Sequence, residues 1–230
     1  MSSLISKILR SSYNNNNKRH FPHLFRSKDE IDYLAIEKTI KDVVEKQNSF
    51  SFKSLNLKDA EVYYLPTKGH SWVGVMSGLF DDYQMQKYKL HEKNKLRKGT
   101  QNYLRIIKRN GLVDRIESFR SGTIDVVYLA YYEDNIRYLF PFSETGFIYP
   151  TYICVSVWEG NEVIEAFLVN DVQIVLQQYN KLNDYETEIV YLNAVPTGEI
   201  PLIEHYYGII QTKDNIELKW KSIYHWEMSI

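Results

Sequence analysis

The side chains able to do chemistry in this chain are carboxylates, histidines, one thiol and a run of cations, and their spacing limits what each could do. Acids occur in pairs: Glu133 beside Asp134, Glu162 with Glu165, and Glu186 with Glu188. Paired carboxylates serve as general acid and base only where unequal surroundings separate their pKa values. At period two, Glu186 and Glu188 read more simply as a solvated acidic strip on one strand face. Histidines stand at 20, 23, 70, 91, 205 and 225, and none has a second ligand at helical or strand spacing. A metal site needs three or four converging ligands, so neither a metal nor a cofactor is expected. No P-loop, dinucleotide-binding glycine fingerprint, H-E-x-x-H, C-x-x-C or G-x-S-x-G motif is present, and no catalytic residue is assigned.

Two further groups could bind rather than react. His70, in Lys68-Gly69-His70-Ser71-Trp72, occupies a loop beside an aromatic, where ligand contacts commonly sit. The stretch from Lys87 to Arg109 is densely basic and interleaved with Tyr88 and Tyr103. Such a stretch can track a phosphate backbone while its rings stack on bases, which makes Lys95, Arg97 and Arg105, with His70 and Trp72, the candidate contacts. The plainer reading is a solvated hairpin whose cations pair with the acidic half of the same chain. That acidic half is pronounced: residues 1–109 carry 21 basic and 11 acidic side chains (+10), residues 110–230 carry 7 and 18 (−11), and the whole is at −1. A near-neutral chain exerts no global pull toward nucleic acid or membrane.

These residues need elements to hold them. Residues 1–27 have five cations and no acid, with an asparagine tract at 14–17, and read as a basic flexible leader. Ser27 and Glu30 form a capping box before an amphipathic stretch, predicting a helix over 28–47 with Ile36, Ile40, Val43 and Val44 on one face. Glu61 to Leu65 resembles a strand, and Pro66 to Gly69 a loop. Trp72 to Tyr88 fits a helix face, yet Gly74 and Gly78 tip the reading toward a bent strand. From Gln101 onward the chain is a train of short strands separated by Asn110-Gly111, Ser121-Gly122, Gly160-Asn161 and Asn170-Asp171. Thr123 to Tyr132 is apolar on both faces, as a strand covered on two sides should be. The expected fold is therefore α+β and mostly β: an antiparallel meander forming a large twisted sheet or partly open barrel, with the helix on one face of a single domain over 28–230.

Cys154 lies in the apolar run Tyr152 to Val155 and behaves as a small core residue, which suits a reducing compartment. No stretch approaches the roughly 20 apolar residues of a membrane-spanning helix, and the first ten residues make a poor signal peptide, so a cytoplasmic location is expected.

The segment from Lys108 to Gly122, KRNGLVDRIESFRSG, closes each hairpin with an aromatic and a turn glycine. It resembles the short MORN-like β-hairpin repeats of bacterial antitoxin or immunity proteins from contact-dependent and polymorphic toxin systems. The resemblance implies a non-catalytic inhibitor that blocks a toxin. Taken with the acidic, tyrosine-rich sheet, it gives the expected function: a protein-binding module that captures a basic partner through Glu133, Asp134, Tyr185, Glu186 and Glu188. Two alternatives stand beside it: a ligand-binding or enzymatic half-barrel with an apolar pocket, and a single-stranded nucleic-acid binder using residues 87–109.

Overall fold

Two-residue turns leave a strand only one place to go. Asn110 and Gly111 both take positive φ (50° and 78°), as do Ser121 and Gly122 (52° and 83°), the backbone of a tight type I′ turn that folds the next strand straight back. The computed structural model describes residues 33–70, 74–149, 151–195 and 202–227. In it the strands follow one another without a crossover: β1 (Glu61–Pro66), β2 (Tyr103–Arg109), β3 (Leu112–Arg120), β4 (Thr123–Glu133), β5 (Ile136–Phe142), β6 (Ile153–Glu159), β7 (Glu162–Val169), β8 (Ile174–Lys181), β9 (Glu186–Val195), β10 (Leu202–Gln211) and β11 (Glu217–Glu227). They form one antiparallel sheet in sequence order, open at β1 and β11 rather than closed into a barrel. The leader, the Ser27 and Glu30 cap and Trp72 lie outside the described residues.

The first hairpins share a local design. In β2–β3 the register slips so that Asp114 has no partner residue, and in β3–β4 Asp125 is the extra residue. Each bulged aspartate forms an ion pair with the arginine that precedes its turn, Arg109 with Asp114 at 3.0 Å and Arg120 with Asp125 at 3.3 Å. The sequence therefore holds two copies of Arg-x-Gly-x-x-Asp eleven residues apart, each a hairpin with its own bulge and its own clasp.

Both faces of the sheet are covered. On one, the helix α1 (Tyr33–Asn48) places Ile36, Ile40 and Val43 against Val127, Phe140, Phe167 and Val190, and the following segment adds Phe50 and Phe52. Burying each of the aliphatic side chains is worth about 2 kcal/mol. Gln47 donates to the carbonyl of Pro141 at 3.0 Å, and Arg115 to that of Lys53 at 3.0 Å, which pins the segment to the sheet. On the other face lies the long β1–β2 connection. Val75 and Leu90 pack there on Leu104, Ile116, Tyr128 and Cys154, while Met76 packs on Ala166, Tyr179 and Ile210. The two-sided cover buries Val126 to Leu129 of β4, as the apolar pattern required, and Ile153 to Val157 of β6 as well.

Two elements differ from expectation. The stretch read as a bent strand contains a helix, α2 (Leu79–Lys87). Its glycines sit outside the helix: Gly78 is the extended residue before the first turn, and Gly74 holds φ +89° where a Cβ would come within 2.4 Å of Leu65. β5 carries Pro141 and lacks a sequence signal. The proline is tolerated because pairing with β6 ends at Leu139, so no ladder bond is lost.

A buried polar knot fixes this cover. Arg137 donates to the carbonyls of Val75 (3.0 Å) and Met76 (3.3 Å) and to the hydroxyls of Ser77 and Ser156 (both 3.1 Å). Beside it, the Asp81 carboxylate accepts from the backbone N–H of Gly74 (2.6 Å) and of Ser77 (3.1 Å). Burial pushes the Asp81 carboxyl up to about 6 against the opposing pull of those N–H groups. A folded-state pKa above the ordinary one means that the folded protein holds this proton more tightly. The associated stability is present below about pH 4 and is lost as pH rises through 6, a change of about 3 kcal/mol. Urea titrations between pH 4 and 7 should show a flatter pH dependence for Asp81→Asn than for the parent; equal slopes would refute this assignment.

Candidate partner-binding rim

In a meander, alternate turns fall on opposite rims of the sheet. The turns after β2, β4, β6, β8 and β10 therefore share one rim, and from β4 onward that rim is acidic. Glu133 and Asp134 stand at the β4–β5 turn, Glu159 and Glu162 flank Gly160-Asn161, Asp184 and Glu186 bound the β8–β9 connection, and Asp214 and Glu217 lie at the last. Two clefts open here. The larger, about 500 Å3, is lined by Asp82, Glu159, Glu162 and Asp184 together with Trp158 and Tyr179. The smaller, about 370 Å3, lies between Tyr185, Glu186, Asp214 and Glu217.

One register detail gives this rim its character. Glu159 and Glu162 are direct cross-strand partners, the arrangement in which like charges destabilise a sheet. Lys181 offsets part of that repulsion, at 2.8 Å from Glu162. Asp82, at the start of α2, faces the same cleft, and burial raises its carboxyl above the ordinary carboxylate range. The cleft thus concentrates negative charge around an indole and a phenol ring, a setting that suits a guanidinium or ammonium group. Among the described residues no three His, Cys, Asp or Glu side chains converge as metal ligands do.

The residues proposed from sequence are partly gathered here. Glu133, Asp134 and Tyr185 are exposed on the rim, Tyr185 at 55%. Glu133 is already paired with Lys46 of α1. Glu186 accepts from Gln211 (2.8 Å) and Asn183 (3.0 Å), which hold its carboxyl below the usual range. Glu188 departs from expectation. It is only 8% exposed, accepts from the Tyr207 hydroxyl at 2.8 Å and from Asn180 at 2.9 Å, and belongs to the interior rather than to a solvated strip. Burial and the Glu188 carboxylate together push the Tyr207 phenol up to about 12.

The second candidate set is divided by the sheet. His70 is half-buried and stacks on Tyr88 at 3.8 Å, within the connection that covers the α2 side. Arg105 lies on the opposite face, paired with Glu117, and Lys95 and Arg97 are exposed on the loop before β2. Of the basic stretch, Arg105 and Arg109 pair with Glu117 and Asp114 of the acidic half, as the plainer reading foresaw, while Lys108 pairs with Glu92 inside the basic half; Lys93, Lys95, Arg97 and Lys98 make no ion pair among the described residues.

Sequence reasoning passed over Glu159, Asp184 and Asp82 as partner contacts. The signal for the first was legible: two acids flanking a two-residue turn must face each other across the hairpin. No family model, no curated protein and no solved structure matches the chain.

Two substitutions separate binding charge from structural charge. Glu159→Lys should raise stability by about 0.2–1 kcal/mol in urea unfolding, because it converts a repulsive cross-strand pair into an attractive one. Glu188→Ala should lower it by about 1–3 kcal/mol, because it leaves the Tyr207 hydroxyl and the Asn180 amide without their acceptor.

Proposed function

We propose that this protein is a non-catalytic binding module that captures a basic partner protein on its acidic rim. The carrying observation is the cross-strand pair Glu159 and Glu162, held together with Asp82 and Asp184 around one cleft. A like-charge pair costs folding stability, and an arriving lysine or arginine relieves that cost on binding. Half-buried Trp158 supplies the ring face on which such a side chain rests, and Tyr185 adds an exposed aromatic at the next turn. Glu133, Asp134 and Glu186 extend the field along the rim and steer the encounter.

The class of partner follows from the hairpin segment 108–122, whose resemblance to immunity proteins makes the partner a bacterial toxin and this chain its inhibitor. Such a pair meets in the cytoplasm, where the buried and unpaired Cys154 thiol is stable. No helix among the described residues is long and apolar enough to cross a membrane.

Affinity capture with the full chain from its native host, read by mass spectrometry, should recover a basic protein. The Glu159→Lys/Asp184→Lys variant should lose that protein while remaining folded. With the purified pair, this variant should slow association by about tenfold at low salt and leave dissociation nearly unchanged. Recovery of nucleic acid or small molecules alone, or a variant that captures as well as the parent, would overturn the reading.

A further inference from the structure

Among the described residues, the α1 side of the sheet is not covered to its end. Over β4 to β9 it is occupied by α1 and the Phe50–Phe52 segment, but on β1, β2 and β3 the rings of Tyr64, Tyr103 and Phe119 belong to none of the core clusters. Each is half-buried, and the three lie on adjacent strands. Tyr103 and Phe119 are register partners stacked at 4.4 Å with 11° between their planes, and Tyr64 meets Tyr103 edge-on at 6.1 Å. The result is a strip of rings near the rim opposite the acidic one.

Cations flank this strip in register. Lys93 and Tyr64 exchange both backbone hydrogen bonds at 2.8 Å, so their side chains share a face, and Arg105 is the partner of Tyr64 on its other side. Arg105 also lies 5.3 Å from the centre of the Phe119 ring. Its carboxylate partner, Glu117, is fully buried and shared with Arg115, so the three together carry a net positive charge. Beyond Lys93 the loop continues with Lys95, Arg97 and Lys98, all exposed. The loop is built rather than loose: Thr100 bonds the Arg97 carbonyl through both its N–H (3.1 Å) and its hydroxyl (2.8 Å), and Gly122 N–H bonds the Gln101 carbonyl at 2.9 Å.

We infer that this end of the sheet binds single-stranded nucleic acid, with bases on the Tyr64 and Tyr103 rings and phosphates along Lys93, Lys95, Arg97 and Lys98. Ring faces on neighbouring strands, beside a track of cations that make no ion pair among the described residues, are the two components of sequence-tolerant single-strand recognition. A duplex keeps its base faces stacked and has no use for the rings. The acidic rim repels phosphate and confines the strand to the opposite side. This surface shares no residue with the proposed protein-binding rim.

Fluorescence anisotropy with the full chain and a labelled mixed-sequence single strand of about 15 nucleotides tests it. At about 50 mM salt the strand should bind, ahead of the corresponding duplex, and binding should weaken steeply as salt rises. Tyr64→Ala should raise the dissociation constant by about tenfold. Lys95→Glu/Arg97→Glu/Lys98→Glu, confined to the exposed loop, should weaken binding by more than that and lower the slope of log affinity against log salt by about 2. The rim variant Glu159→Lys should bind the strand as the parent does, which keeps this inference distinguishable from the rim reading. Absence of binding at low salt, a parent-like affinity in both variants, or equal competition by polyglutamate would overturn it.

Discussion

Tight reversals of the chain between consecutive strands govern this molecule. The type I′ pairs Asn110-Gly111 and Ser121-Gly122, and the short connections that follow them, return the chain beside the strand it has just left, so each strand's neighbour in space is its neighbour in sequence and the eleven strands line up without a crossover. Three consequences follow. Alternate turns collect on opposite rims, which lets acids scattered over some eighty residues form a single surface. The sheet keeps two edge strands, β1 and β11, and at β1 a single bridge from Lys93 to Tyr64 occupies one position of the edge. The interior must be built on both faces by whatever chain is not strand, and α1 and the β1–β2 connection supply that cover.

Those covering segments are held by buried charge more than by regular structure. Arg115 reaches a backbone carbonyl after α1, and Arg137 reaches two in the β1–β2 connection. Each guanidinium satisfies carbonyls that a loop crossing a sheet cannot satisfy for itself. Arg115 is further tied to the fully buried Glu117. A hydrophobic replacement would take the side-chain donor from the Lys53 carbonyl at Arg115 or from the Val75 carbonyl at Arg137, whereas the Met76 carbonyl keeps the Ser156 hydroxyl, so much of the cost lies in the unsatisfied partners.

Much of the strand order was legible because turn residues are local signals: Asn110-Gly111 and Ser121-Gly122 mark hairpins whatever surrounds them. The misreadings have tertiary causes. Gly74 and Gly78 look like defects in a strand or helix until Leu65 and Tyr179 are seen pressing on the places where side chains would be. Pro141 looks like a break until the β5–β6 pairing is seen to end before it. Glu188 alternates correctly for a solvated strip, and only Tyr207 and Asn180, on the strands either side of it, convert its position into a buried acceptor. The Glu159 and Glu162 pair lies between these cases, since the turn dictates their register and the surrounding Asp82 and Asp184 come from distant segments.

The twin Arg-x-Gly-x-x-Asp hairpins carry a further consequence. Each contains its turn, its bulge and the ion pair that clasps them, and so folds on information within about a dozen residues. Contacts this short in sequence form early and at small entropic cost, and they ask nothing of the distant chain. Such a unit is modular: its insertion or deletion would lengthen or shorten the sheet by whole strands while leaving the flanking pairings intact. The distance between the two charged ends is thereby a heritable dimension of the molecule, adjustable in steps of about 4.8 Å per strand.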